Sequence, residues 1–168
     1  MNVKIKRTKQ ALLDAFCRLA ENIPTEEITV SQLCKEAGIN RTTFYRYYAI
    51  PLDVVVEAVE ELTAKTLFSD GELIRDSHEL MLSLCNTFYE NQRLMALYAN
   101  SSGNLMHLFY ELMMQHARNL GYIAAPINRF IAGGVASTVM AWMLQGCTES
   151  PENVAQYLDN CISRLAAK

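Results

Sequence analysis

Between Arg41 and Tyr48 the sequence sets two arginines, two threonines and three tyrosines around a single phenylalanine. In a helix at about 100° per residue, Phe44 and Tyr48 project to nearly the same side. Burying Phe44 then turns Thr42 and Arg46 outward, with Thr43 and Tyr45 flanking them. A helix face that carries Arg, Thr and Tyr side by side offers the donors that reach phosphate oxygens and base edges in a major groove. No comparable grouping suits catalysis. The P-loop, nucleophile-elbow, zinc-protease and dinucleotide glycine patterns are absent, and the five cysteines lie far apart with no C-x-x-C pair. His78, His107 and His116 lack metal-like spacing. The expectation is a protein without enzymatic activity, metal or cofactor, in a reducing, cytoplasmic setting.

Such a face needs a small helical scaffold, and the preceding residues supply its signals. Leu12, Ala15, Phe16, Leu19 and Ala20 recur at helical spacing, with Thr8 as the expected cap, and this helix stops near Ile23-Pro24. Thr29 and Gln32 stand three apart, as a capping box requires, and open a short helix that Gly38 ends. Asn40 caps the next helix, expected from Arg41 to about Tyr48. Two short helices joined through a glycine turn describe a helix-turn-helix unit.

Charge is divided in the same way. Through Tyr48, eight basic residues stand against five acidic ones, a net of +3, and beyond it seven stand against thirteen, a net of −6. A basic head on an acidic body suits a nucleic-acid-binding unit joined to a separate regulatory one, because phosphate attraction is local.

From Pro51 onward only helices are expected, over about 51–68, 74–89, 93–98, 104–120, 127–144 and 151–166, with a loop at Ser69-Asp70-Gly71 and a break at Ser101-Ser102-Gly103. Pro51 and Pro151 suit first helical positions, the latter capped by Ser150. The stretch Phe130 to Leu144 falls short of the roughly 20 residues that cross a bilayer, so no membrane span is expected. The fold class is all-α: a three-helix DNA-binding domain over residues 1–50, then a helical regulatory and dimerisation domain over 51–168.

Two further sites follow from the helical reading. The penultimate helix combines small residues with apolar bulk, which lets a second backbone approach. It nominates Ala132, Gly133, Ala136, Val139, Met140 and Met143 for a dimer interface, against the alternative of an ordinary core helix. Met81, Phe88, Met106, Phe109 and Met113 could line an adaptable apolar pocket, against the alternative of simple core packing.

The ordered set Ile28-Thr29-Val30, Ala37-Gly38-Ile39-Asn40, Thr43-Phe44-Tyr45 and Tyr47-Tyr48 resembles the N-terminal domain of TetR-type regulators. The segment Trp142-Met143-Leu144-Gln145-Gly146, followed by Glu149-Ser150-Pro151-Glu152, resembles a short regulatory domain of the same family. The resemblance implies that Arg41, Thr42, Thr43 and Arg46 lie at or near base edges and that Tyr45 and Tyr47 touch phosphates. Ser31 and Gln32 would approach the backbone or an outer base. It implies a homodimer, paired through the last two helices so that Leu158 and Ile162 join the interface, on a double-stranded inverted-repeat operator, with a small apolar effector as the controlling ligand and repression as the expected outcome. The alternative is a relative acting mainly through a protein partner, as a co-activator. Two positions depart from the family pattern: Pro51 stands where a lysine is common, and Asn22-Ile23-Pro24 replaces a Gly-aromatic pair.

Overall fold

The computed structural model describes residues 3–100, 105–121 and 126–166. The helices are α1 (Val3–Leu19), α2 (Val30–Ala37), α3 (Arg41–Phe44), α4 (Asp53–Lys65), α5 (Ser77–Glu90), α6 (Gln92–Asn100), α7 (Leu105–Asn119), α8 (Pro126–Leu144) and α9 (Pro151–Ala166). A 3-10 turn at Thr25–Glu27 links α1 to α2. The chain divides into one compact unit made of 1–61 with 96–103, and a second made of 62–95 with 104–168.

In the first unit, α1 packs on α2 and α2 on α3, around Leu12, Phe16, Leu33 and Phe44, none of which reaches solvent. The boundary signals act as their chemistry requires. Thr29 Oγ1 accepts from the Gln32 amide at 3.3 Å and Gln32 Oε1 accepts from the Thr29 amide at 2.9 Å, so the capping box is complete. Gly38 ends α2 at φ 66°, a left-handed conformation that a Cβ would disfavour. Asn40 Oδ1 accepts from the Thr43 amide at 2.7 Å and opens α3.

Three expectations need correction. Thr8 is not a cap: α1 already starts at Val3, and the Thr8 hydroxyl donates to the Lys4 carbonyl one turn back, at 3.0 Å. The reading helix is shorter than expected. After Phe44 it tightens into a turn, in which the Arg46 and Tyr47 amides bond three residues back, to Thr43 and Phe44. Pro51 does not begin α4 but lies in the turn before it. Asp53 opens that helix instead, its Oδ2 accepting from the Ala49 and Ile50 amides at 2.8 and 2.9 Å.

The second unit begins with a finding that the helical reading missed. Phe68–Ser69 (β1) and Glu72–Leu73 (β2) pair antiparallel, Phe68 opposite Leu73 and Ser69 opposite Glu72. Asp70 and Gly71, at φ 51° and 84°, form the two-residue turn with both angles positive that matches the twist of a hairpin. Beyond it α5 packs chiefly on α9, and α7 on α8. Phe88 and Phe109, both fully buried, pack against each other with ring centroids 4.1 Å apart and their planes tilted by 31°. Ser150 and Pro151 open α9 as expected, Ser150 Oγ accepting from the Asn153 amide at 3.3 Å. The expected break at Ser101-Ser102-Gly103 lies outside the described residues.

Candidate nucleic-acid interface

The turn from Arg41 to Tyr48 has an inner and an outer side, fixed by apolar burial. Phe44 is fully buried and Tyr48 nearly so. Arg41, Thr42, Tyr45 and Arg46 are exposed, and Thr43 and Tyr47 are half-buried. The Arg41 guanidinium stands 6.0 Å from the centre of the Tyr45 ring, close enough for a cation–π attraction that groups the two outward-facing side chains. Ser31 and Gln32 are exposed at the start of α2. The carbonyl end of Gln32 is engaged by both the amide and the hydroxyl of Thr29, the latter at 2.6 Å, which leaves its amide nitrogen as the outward group.

A polar link that the sequence did not reveal holds this outer side in place. Tyr48 donates its hydroxyl to Glu57 Oε2 at 2.5 Å, and Lys9 pairs with Glu57 Oε1. The Lys9 ammonium also lies 5.9 Å from the Tyr47 ring centre and 5.8 Å from that of Tyr48. Three elements, α1, the reading turn and α4, thus meet at one carboxylate. Partial burial would raise the Glu57 pKa, but the hydrogen bonds from Lys9 and Tyr48 and the Lys9 charge outweigh it, and the carboxyl is held below its usual range. Burial, and then the bond to Glu57, push the Tyr48 phenol well above its ordinary value. It therefore stays protonated and keeps donating. Nothing in sequence spacing relates Lys9 to Glu57, because their meeting depends on how α1 and α4 pack.

The residues nominated for an effector pocket are not brought together. Phe88 and Phe109 are spent on each other in the core, and Met106 lies on the surface. Only Met81 and Met113 share a cleft, of about 470 Å³, with His116 in its wall.

The nominated dimer residues divide likewise. Ala132, Ala136, Val139 and Leu158 are buried within the chain, Gly133, Met140, Met143 and Ile162 are half-buried, and none of the eight is fully exposed. The outward side of α8 carries Ile127, Phe130, Gly134, Ser137, Ala141 and Leu144 instead, with Phe130 67% and Leu144 79% exposed. Tyr157 and Leu165 continue it on α9, and a groove of about 230 Å³ runs between the two helices. A Cβ added at Gly134 would meet nothing within 4 Å, so the chain's own packing does not require glycine there. By length and composition α8 could cross a bilayer, and only 28% of its apolar window is buried. Its packing along α7 and α9 makes it a bundle helix with one uncovered side.

Comparison with known proteins agrees with this architecture. Residues 75–164, just over half of the chain, match the family model for a TetR-type transcriptional regulator C-terminal region. Among solved structures, the dihydroxyacetone kinase operon activator DhaS superposes with a TM-score of 0.72 at 18% identity, over 95% of this chain and 97% of that one. A TetR transcriptional regulator from Streptococcus agalactiae 2603V gives 0.68 at 20% identity, over 95% of each chain. A TetR-family regulator from Syntrophomonas wolfei gives 0.66 at 14%, over 97% and 96%. At these identities the likeness is one of fold. No curated protein matches the sequence.

Proposed function

The chain belongs to the TetR family of transcriptional regulators, and we propose that it is a homodimeric DNA-binding repressor, cytoplasmic, that recognises an inverted-repeat operator and answers to a small-molecule effector. The observation that carries the DNA reading is the division of the Arg41–Tyr48 turn. Its inner side is fixed by Phe44 and by the Tyr48 bond to Glu57, while Arg41, Thr42, Tyr45 and Arg46 stay exposed and uncommitted to the core. In this reading Arg41, Thr42, Thr43 and Arg46 address base edges, Tyr45 and Tyr47 address phosphates, and Ser31 with the Gln32 amide reaches the backbone beside them. Fixing the backbone that carries the donors before contact limits the ordering cost of binding.

The uncovered side of α8 and α9 supports dimerisation there, with Phe130, Leu144 and Tyr157 as its apolar centre and Gly134 as the point where a second backbone could approach. Large apolar side chains grouped on one face are the mark of an interaction surface. A two-fold dimer would address two half-sites about 34–36 Å apart, or a multiple of that spacing. Repression is preferred because occupying a promoter is enough to block it.

Titrating labelled DNA carrying an inverted repeat at several salt concentrations, with sedimentation of the same samples, tests the reading. Affinity should fall linearly on a log–log plot, by a slope of about −0.9 for each phosphate neutralised, with two protein chains on each duplex. Binding that ignores salt, or one chain per duplex, would count against it.

A further inference from the structure

The cleft between the start of α5, the end of α7, the start of α8 and the end of α9 combines an apolar wall with polar groups that the chain leaves unused. Leu80, Met81, Met113 and Ile131 form part of the wall, and about 470 Å³ is within the range of small-molecule sites. Set in it is His116, only 5% exposed, whose Nδ1 is buried without a hydrogen-bond partner among the described residues. An unsatisfied buried polar atom costs about 1–3 kcal/mol and is uncommon in folded proteins. It therefore points to a group supplied from outside the chain. Burial lowers the basicity of His116, so its imidazole is neutral and can hold a proton on Nδ1 to donate.

The other polar groups of the cleft narrow the choice. Arg75 is exposed and makes no hydrogen bond or ion pair among the described residues. Asp76 caps α5, its Oδ1 accepting from the Glu79 amide at 2.8 Å, and the Ser77 hydroxyl is committed to Asp159. Ser163, also in the wall, carries a hydroxyl that can donate or accept, and the neutral His116 ring can present Nδ1 either way, so the one uncommitted charge is the cationic fork of Arg75, suited to a carboxylate. A cationic ligand would be opposed by Arg75, and a wholly apolar one would leave His116 unsatisfied.

We propose that this cleft binds a small monocarboxylic acid with an apolar body, its carboxylate taken by Arg75 and His116 Nδ1 and its body by the methionine and leucine wall. The proposal deepens the effector control put forward above and rests on that reading for its regulatory consequence, though not for the binding itself.

The test uses the full chain without DNA, titrated with benzoate, 3-phenylpropionate and octanoate and with their primary amides. Calorimetry and the histidine ring proton resonances give the readouts. The acids should bind, shift the His116 ring signal and exceed their amides by roughly tenfold, the value of one charge-assisted hydrogen bond. Arg75→Gln, at an exposed position where folding is not at stake, should remove that preference. Failure of every acid to bind, equal binding of acids and amides, or an unmoved His116 signal would overturn the site. A chain that binds an acid and selects no DNA would overturn the regulator reading and leave the site standing.

Discussion

The hydroxyl of Tyr48 and the carboxylate of Glu57, nine residues apart, are joined at 2.5 Å, and the bond anchors the inner side of the turn whose outer side displays Arg41, Thr42, Tyr45 and Arg46. Because Lys9 holds the other oxygen of the same carboxylate, α1, the reading turn and α4 are linked at one point. Loss of any member leaves the other two with an imperfectly paired, partly buried charge.

Tyr48→Phe keeps the ring in the core and removes only the hydroxyl, and it should cost about 1–2 kcal/mol of stability. Urea unfolding of both proteins checks this. An unchanged midpoint would show that the Glu57 carboxylate is satisfied without Tyr48.

Arg46→Ala removes an exposed side chain that packs against nothing in the core, so folding should be unaffected. Affinity for the preferred DNA should fall by about 1–3 kcal/mol if Arg46 addresses a base, with tolerance gained at one position of each half-site. Uniform weakening across all sequences would assign Arg46 to phosphate instead.

Leu144→Asp or Phe130→Asp puts a charge on the exposed side of α8, where the chain's own packing is untouched. Sedimentation should show conversion of dimer to monomer at micromolar concentration, with helix content preserved. A dimer that survives both substitutions would move the interface elsewhere.

Burial lowers the His116 pKa from its ordinary 6.5, so the folded chain keeps the imidazole neutral where the unfolded chain takes up a proton. The unfolded state then binds more protons, and stability must fall as pH drops below about 6.5. The unfolding midpoint should decrease between about pH 7.5 and about pH 5.5, and His116→Gln should flatten that dependence. A midpoint equally pH-sensitive in the variant would place the effect on other groups.

What the sequence made legible was local. Thr29 with Gln32, Gly38 and Asn40 mark boundaries by chemistry confined to three or four residues, and the structure realises each one. Thr8 and Pro51 each suit a helix start by type, but neighbours decide otherwise: α1 extends back to Val3, and Asp53 captures two amides before Pro51 could lead a helix. The Lys9–Tyr48–Glu57 link was out of reach, since it joins elements that only packing brings together. The orientation of α8 was hidden for another reason. It is apolar on nearly every side, so periodicity does not say which side turns inward, and Ala132, Ala136 and Val139, nominated for a partner, fill the chain's own core. The Asp70-Gly71 pair did carry a hairpin signal, overridden by the helical pattern on either side.

In this reading the outward residues of the Arg41–Tyr48 turn recognise DNA sequence. Selection of bound sequences from a random duplex pool by the purified chain at physiological salt, in parallel with Arg46→Ala, decides this. The parent chain should enrich one inverted repeat, with half-sites spaced by about one helical turn or a multiple of it, and the variant should show relaxed preference at a symmetric pair of positions. Failure of the parent chain to enrich any sequence would contradict this reading.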